Sequence, residues 1–84
     1  MDKNIMRIAE LCEQEEPKNV YTELKLSSID QHVWIMDFDE DGKCSVKSHF
    51  TRCERESDKW YKGADLTPVT TADVIRELEA VRNA

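Results

Sequence analysis

The residues that first invite a chemical reading are Asp37, Asp39 and Asp41, set at alternate positions and followed at once by Gly42. Hard carboxylate oxygens at that spacing, with a glycine where the chain must bend sharply, suit a bound Ca²⁺. Cys44, His49 and Cys53 follow at spacings of five and four, with His32 upstream, and supply the ligand types of a Zn²⁺ site. The thiols form no C-x-x-C pair, and a regular hairpin puts Cys44 on its core face and His49 on the other, so the two do not meet at one ion. Nucleophilic and phosphate chemistry find less support. The chain has no G-x-S-x-G, H-E-x-x-H or glycine-rich phosphate loop, and its two glycines cannot build a backbone phosphate cradle. Carboxylates are plentiful, but a catalytic pair needs a pocket that drives its pKa values apart. A chain of 84 residues buries only about 60–65% of its unfolded surface, too little to enclose a substrate. The expectation is therefore a protein that is not an enzyme, with no catalytic residues, no metal and no cofactor.

The run from Asp37 to Gly42 resembles the first half of an EF-hand calcium loop. The resemblance covers six residues and ends where the family places a bidentate Glu, a position held here by Ser48. Its flanks also read as strands rather than helices. A solvated acidic hairpin tip is the expectation, and a calcium- or zinc-stabilised small domain is kept as an alternative.

Charge is distributed unevenly along the chain. Eighteen acids against twelve bases give a net charge of −6. Residues 1–41 carry eleven acids and four bases, while residues 42–84 carry seven acids and eight bases. The acids gather at Glu10, Glu13, Glu15 and Glu16 and again at Asp37, Asp39, Glu40 and Asp41, patches that repel nucleic-acid backbones and attract basic surfaces. Lys43, Lys47, Arg52, Arg55, Lys59 and Lys62, with Trp60 and Tyr61 nearby, form an opposing basic set. Glu54, Glu56 and Asp58 interrupt it, which disfavours direct nucleic-acid binding.

Those groups have to be held by a small number of elements. Ile5, Ile8, Ala9 and Cys12 recur at helical spacing with Leu11 beside them, so Asn4 to about Glu15 reads as a helix stopped by Pro17. Val20 to Leu26 alternates Val20, Thr22, Leu24 and Leu26 against Tyr21, Glu23 and Lys25, the period of a half-buried strand. His32 to Phe38 and Lys43 to Phe50 are joined by Asp39-Glu40-Asp41-Gly42, which suits a type I turn with an αL glycine bulge. Pairing Asp39 with Lys43 puts Phe38, Met36, Trp34 and His32 opposite Cys44, Val46, Ser48 and Phe50, giving one largely apolar face expected to be the core. Beyond Phe50 the pattern weakens until a final helix with Thr70 as N-cap, Asp73 in its first turn and a stripe of Ala72, Val74, Ile75, Leu78 and Val81. Adjacent Trp60 and Tyr61 cannot both point inward; Trp60 is expected to cap the core with Tyr61 lying flat on it and its hydroxyl in water, the other reading being that one of the two is a surface interface anchor. The fold expected is α+β, residues 1–84 forming a single domain, with a small antiparallel sheet of three to four strands and N- and C-terminal helices packed on one face in the order α-β-β-β-α.

No apolar run exceeds the four residues Val33–Met36, and Met1-Asp2-Lys3-Asn4 leads into a segment of mixed polarity, so neither a membrane span nor a leader is expected. Three cysteines at irregular spacing fit a reducing, cytoplasmic setting. In size, single-domain economy and acidity the chain resembles the small accessory proteins of phages and mobile elements, including anti-CRISPR and anti-restriction inhibitors. That resemblance implies a non-catalytic protein-binding module that occludes the basic nucleic-acid-binding surface of a host protein. The carboxylates of Glu13, Glu15, Glu16, Asp37, Asp39, Glu40 and Asp41, with Trp60 and Tyr61, are its expected contacts. A nucleic-acid-associated regulator using the Lys43 to Lys62 face is the alternative.

Overall fold

Local chemistry sets most of the element boundaries. The computed structural model describes residues 3–13, 19–54 and 57–83. Helix α1 (Lys3–Glu13) leads into strands β1 (Val20–Leu26), β2 (Gln31–Phe38), β3 (Cys44–Arg52), β4 (Lys59–Lys62) and β5 (Thr67–Thr70), and helix α2 (Thr71–Arg82) ends the chain. The strands form one antiparallel sheet in sequence order. The fold is α+β with both terminal helices on one face, as expected, but with five strands rather than three or four. The additional hairpin is β4–β5, which turns at Gly63 (φ 77°) and Leu66 (φ 54°). Its strands of four residues are too short to show an alternating pattern.

Helix α2 starts with a capping box: Thr70 Oγ1 accepts from the Asp73 amide at 3.2 Å, and Asp73 Oδ2 accepts from the Thr70 amide at 2.9 Å. Such an arrangement contributes about 1 kcal/mol by satisfying two otherwise orphaned N–H groups. At its other end Arg82 Nη2 donates to Thr22 Oγ1 at 2.7 Å, joining α2 to β1. The helices present Ile5, Ile8 and Leu11 from α1 and Val74, Leu78 and Val81 from α2 to Val33, Ile35, Phe50 and Trp60 of the sheet. Leu11 is buried, whereas Cys12 is only partly so and Ala72 is exposed, which rotates both expected stripes slightly.

The β2–β3 hairpin begins with the expected register and then departs from it. Asp39 N–H donates to the Lys43 carbonyl, Gly42 (φ 78°) closes the turn, and Phe38, Asp37 and Met36 pair with Cys44, Ser45 and Val46. Between Met36 and Ile35 the register slips by one, because Ile35 pairs with Ser48 and Lys47 is left as a bulge residue. Trp34 then pairs with His49 instead of Ser48, and Val33 with Phe50. A one-residue slip moves every later side chain to the opposite face. Phe50 thereby joins Val33 and Ile35 under the helices, all three no more than 1% exposed. Trp34, Met36 and His32 lie on the face away from the helices, which corrects the expectation that they form the core.

Trp60 is interior, in line with the reading that it caps the core, which removes it from the expected partner contacts. It is fully buried, donates from Nε1 to Thr71 Oγ1 at 2.9 Å, and is covered by the Arg52 guanidinium 4.7 Å from its ring. Arg52, itself buried, donates to Gln31 Oε1 at 2.7 Å and to the Ser57 carbonyl at 2.9 Å. These bonds make it an internal strut tying β2 and β3 to the segment before β4. Deleting Lys47 removes the bulge and forces Phe50 out of the core or the turn out of register. The expected cost is at least about 3 kcal/mol in urea unfolding, against less than about 0.5 kcal/mol for Lys47→Ala, which keeps the chain length.

Candidate functional site

Among the described residues, two helices cover one side of the sheet and nothing covers the other. Pairing arranges that open face in cross-strand rows. Phe38 sits opposite Cys44 nearest the tip; Tyr21, Met36 and Val46 form the next row; Glu23, Trp34 and His49 the third; Lys25, His32, Thr51, Tyr61 and Pro68 the last. The rows grade from apolar at the tip to polar and titratable at the far end. Tyr21 is 40%, Phe38 37% and Val46 56% exposed, values unusual for three large apolar side chains at neighbouring sheet positions. Tyr61 is half-buried on this face with Lys59 Nζ 5.6 Å from its ring centre.

The polar end holds a connected chain of side chains. Ser27 Oγ donates to Asp30 Oδ1 at 2.7 Å, and Asp30 Oδ2 lies 3.0 Å from His32 Nε2. His32 Nδ1 and His49 Nε2 are 2.8 Å apart, with Thr51 Oγ1 within 3.4 Å of both. His49 stacks on Trp34 with centroids 3.6 Å apart and planes 9° from parallel. Hydrogen bonds from Ser27 and His32 hold the Asp30 carboxyl below its ordinary value, while burial and the neighbouring charge of His32 hold His49 below 6.5. The signal for this cluster in the sequence is the pair of histidines on one hairpin. A regular register, however, separates them onto opposite faces, and only the bulge brings them together.

The acidic tip is built as a turn rather than a metal loop. Asp39 Oδ1 accepts from the amides of Asp41 and Lys43 at 3.0 and 2.8 Å, so this carboxylate caps the turn. Asp37 lies on the helical side of β2, opposite Val20 and Ser45, and Ser48 is buried. Glu40 and Asp41 are exposed beside Phe38 and are the acids free to meet a partner. Glu13 is exposed in the last turn of α1, and Glu15 and Glu16 lie outside the described residues. Cys44 and His49 do share the open face, which corrects the expectation that they face apart. The Val46 row separates them, and among the described residues no three His, Cys, Asp or Glu side chains are arranged to hold a metal.

The basic set is dispersed. Arg52 is interior, Lys62 Nζ pairs with Glu77 Oε1 at 2.7 Å on the helical side, and Arg55 lies outside the described residues, leaving Lys43, Lys47 and Lys59 exposed. A hollow of about 380 Å³ beside the open face is lined by Trp34, Val46, Lys47, His49, Lys62 and Gly63. No described helix is long and apolar enough to cross a membrane. Compared with protein-family models, curated proteins and solved structures, the chain matches none.

The depressed His49 value has a direct consequence for folding. Unfolded, His49 takes up a proton around its ordinary value of 6.5; folded, it resists, so protons favour the unfolded chain below that pH. Stability is expected to be level above about pH 6.5 and to fall as the pH drops below it, with a shallower fall in His49→Gln, as read by urea midpoints across pH. An equal slope in both proteins contradicts this.

Proposed function

We propose that the protein is a small acidic, non-catalytic protein-binding module of the cytoplasm, acting as an inhibitor of the kind found among phage and mobile-element accessory proteins. It docks through the open sheet face and the acidic tip onto a protein surface whose apolar centre is rimmed by Lys and Arg, such as the nucleic-acid-binding surface of a host complex. One observation carries this reading: the uncovered row Tyr21, Met36 and Val46, with Phe38, directly adjoins exposed Glu40 and Asp41. A contiguous exposed apolar patch is costly to a monomer and marks an interaction surface, while the adjoining charge steers and orients the partner. Cys44 and Cys53, exposed and outside any disulfide, support a reducing compartment. Among the described residues the basic set forms no continuous surface of the kind direct nucleic-acid binding uses.

A synthetic amphipathic Leu/Lys helix serves as a probe of stated chemistry. Titrated into the full chain, it should shift the amides of β2 and β3 around Phe38 and Val46 and leave those of α1 and α2 in place. Val46→Asn, which removes apolar surface without adding charge, should weaken binding about tenfold at any salt concentration. The double change Glu40→Lys with Asp41→Lys, which spares the turn-capping Asp39, should weaken it about tenfold at low salt and progressively less as salt screens the charges. Unaltered binding in both variants, or shifts confined to the helical side, overturns the proposal.

A further inference from the structure

The hydrogen-bonded chain on the open face fixes how many protons it accepts. Asp30 Oδ2 lies 3.0 Å from His32 Nε2, so that nitrogen carries a hydrogen and donates it. The two imidazoles are within 5° of parallel, and their centroid separation of 5.1 Å is close to the 2.8 Å N···N distance plus two ring radii. His32 Nδ1 and His49 Nε2 therefore point straight at one another. That arrangement has room for a single bridging hydrogen and leaves no convergent point where one metal ion could take both lone pairs.

In the neutral pair the bridging hydrogen belongs to His49 Nε2, and His32 Nδ1 accepts it. A proton binding at His49 Nδ1 forms a new N–H there; the bridging hydrogen passes to His32 Nδ1 as its bond to His49 Nε2 breaks. The net charge of +1 comes to rest on His32 beside Asp30. A second proton would set two N–H groups against each other across 2.8 Å. The rings must then part, which pulls His49 off Trp34.

The surroundings act in the same direction. Lys25 faces His32 from β1, and Glu23 faces Trp34 beside it. Tyr61 faces Thr51 from β4 with Lys59 alongside, and Lys47 lines the hollow next to His49, while Lys62 at its rim is held by Glu77. A charge on His32 lies 3.0 Å from Asp30, and the burial of His49 together with that charge on His32 opposes a second proton.

We propose that His32 and His49 form a one-proton switch that regulates docking on this face. A single proton places a cation in the row behind the apolar centre and repels a Lys/Arg-rimmed partner, while a second opens the Trp34 stack. The regulatory consequence rests on the docking reading above; the one-proton property of the pair does not.

Two measurements on the full chain separate those claims. Long-range ¹H–¹⁵N spectra of the imidazole nitrogens, recorded through a pH titration, should show two coupled steps more than about one pH unit apart. Either His32→Gln or His49→Gln should collapse them to one. Two overlapping, independent titrations overturn the switch. Affinity for the Leu/Lys helix should fall about three- to tenfold between about pH 7.5 and 5.5, and stay level in the His32→Gln, His49→Gln double variant. Coupled titration with pH-independent peptide affinity overturns the regulatory claim. Coupled titration with no peptide binding at any pH overturns the docking reading, and the regulation with it.

Discussion

A single bulge residue, Lys47, sets the identity of both sheet faces. The tip of the β2–β3 hairpin is pinned by the Asp39 cap and the αL glycine at 42, which demand that Met36 pair with Val46. The core demands that Phe50 stand beside Val33 and Ile35 beneath the helices. Those two demands differ by one residue in register, and absorbing the extra residue at Lys47 meets both. From that slip follow the burial of Phe50, the exposure of Val46 beside Tyr21 and half-buried Met36, and the meeting of His32 with His49. The candidate site thus consists of side chains that the register slip leaves on the side away from the helices.

Apolar side chains on both faces of β2 explain why the sequence misleads here. Val33 to Met36 is a continuous apolar run, so it can bury either Val33 and Ile35 or Trp34 and Met36. Turn chemistry favours the second choice in a regular hairpin, and nothing in a period-2 pattern announces a bulge. Elements whose signals are local were legible instead: the bounds of β1, the turn from Asp39 to Lys43, and the Thr70 cap with Asp73 all follow from propensity and spacing. The burial of Trp60 was legible as one of a pair of aromatics that cannot both face inward, but its bond to Thr71 and the partners of Arg52, Gln31 and the Ser57 carbonyl were not, because tertiary packing assembles them. The same packing removes the apparent basic cluster, since a row of Lys and Arg in sequence is not a surface once one of its members is interior and another is paired to a helix.

Edges and faces are handled differently in this sheet. Pro68 on β5 and the alternating Glu23 and Lys25 on β1 protect the two edges against further strand pairing. The open face has no such protection at its apolar end, while its polar end is stiffened by the Asp30, His32 and His49 chain and the Trp34 stack. A hydrogen-bonded titratable block beside an apolar row suits the docking proposed above, because side chains already held in place lose little entropy on binding.

The face assignment on which all of this stands is tested most directly by interstrand Hα and amide Overhauser contacts across β2 and β3. Contacts joining Met36 to Val46 and Ile35 to Ser48, with Trp34 meeting His49 and Lys47 lacking a partner, are what the bulged hairpin requires. A regular ladder, with Ile35 meeting Lys47 and Trp34 meeting Ser48, would put Phe50 on the open face and contradict both the core and the candidate site described above.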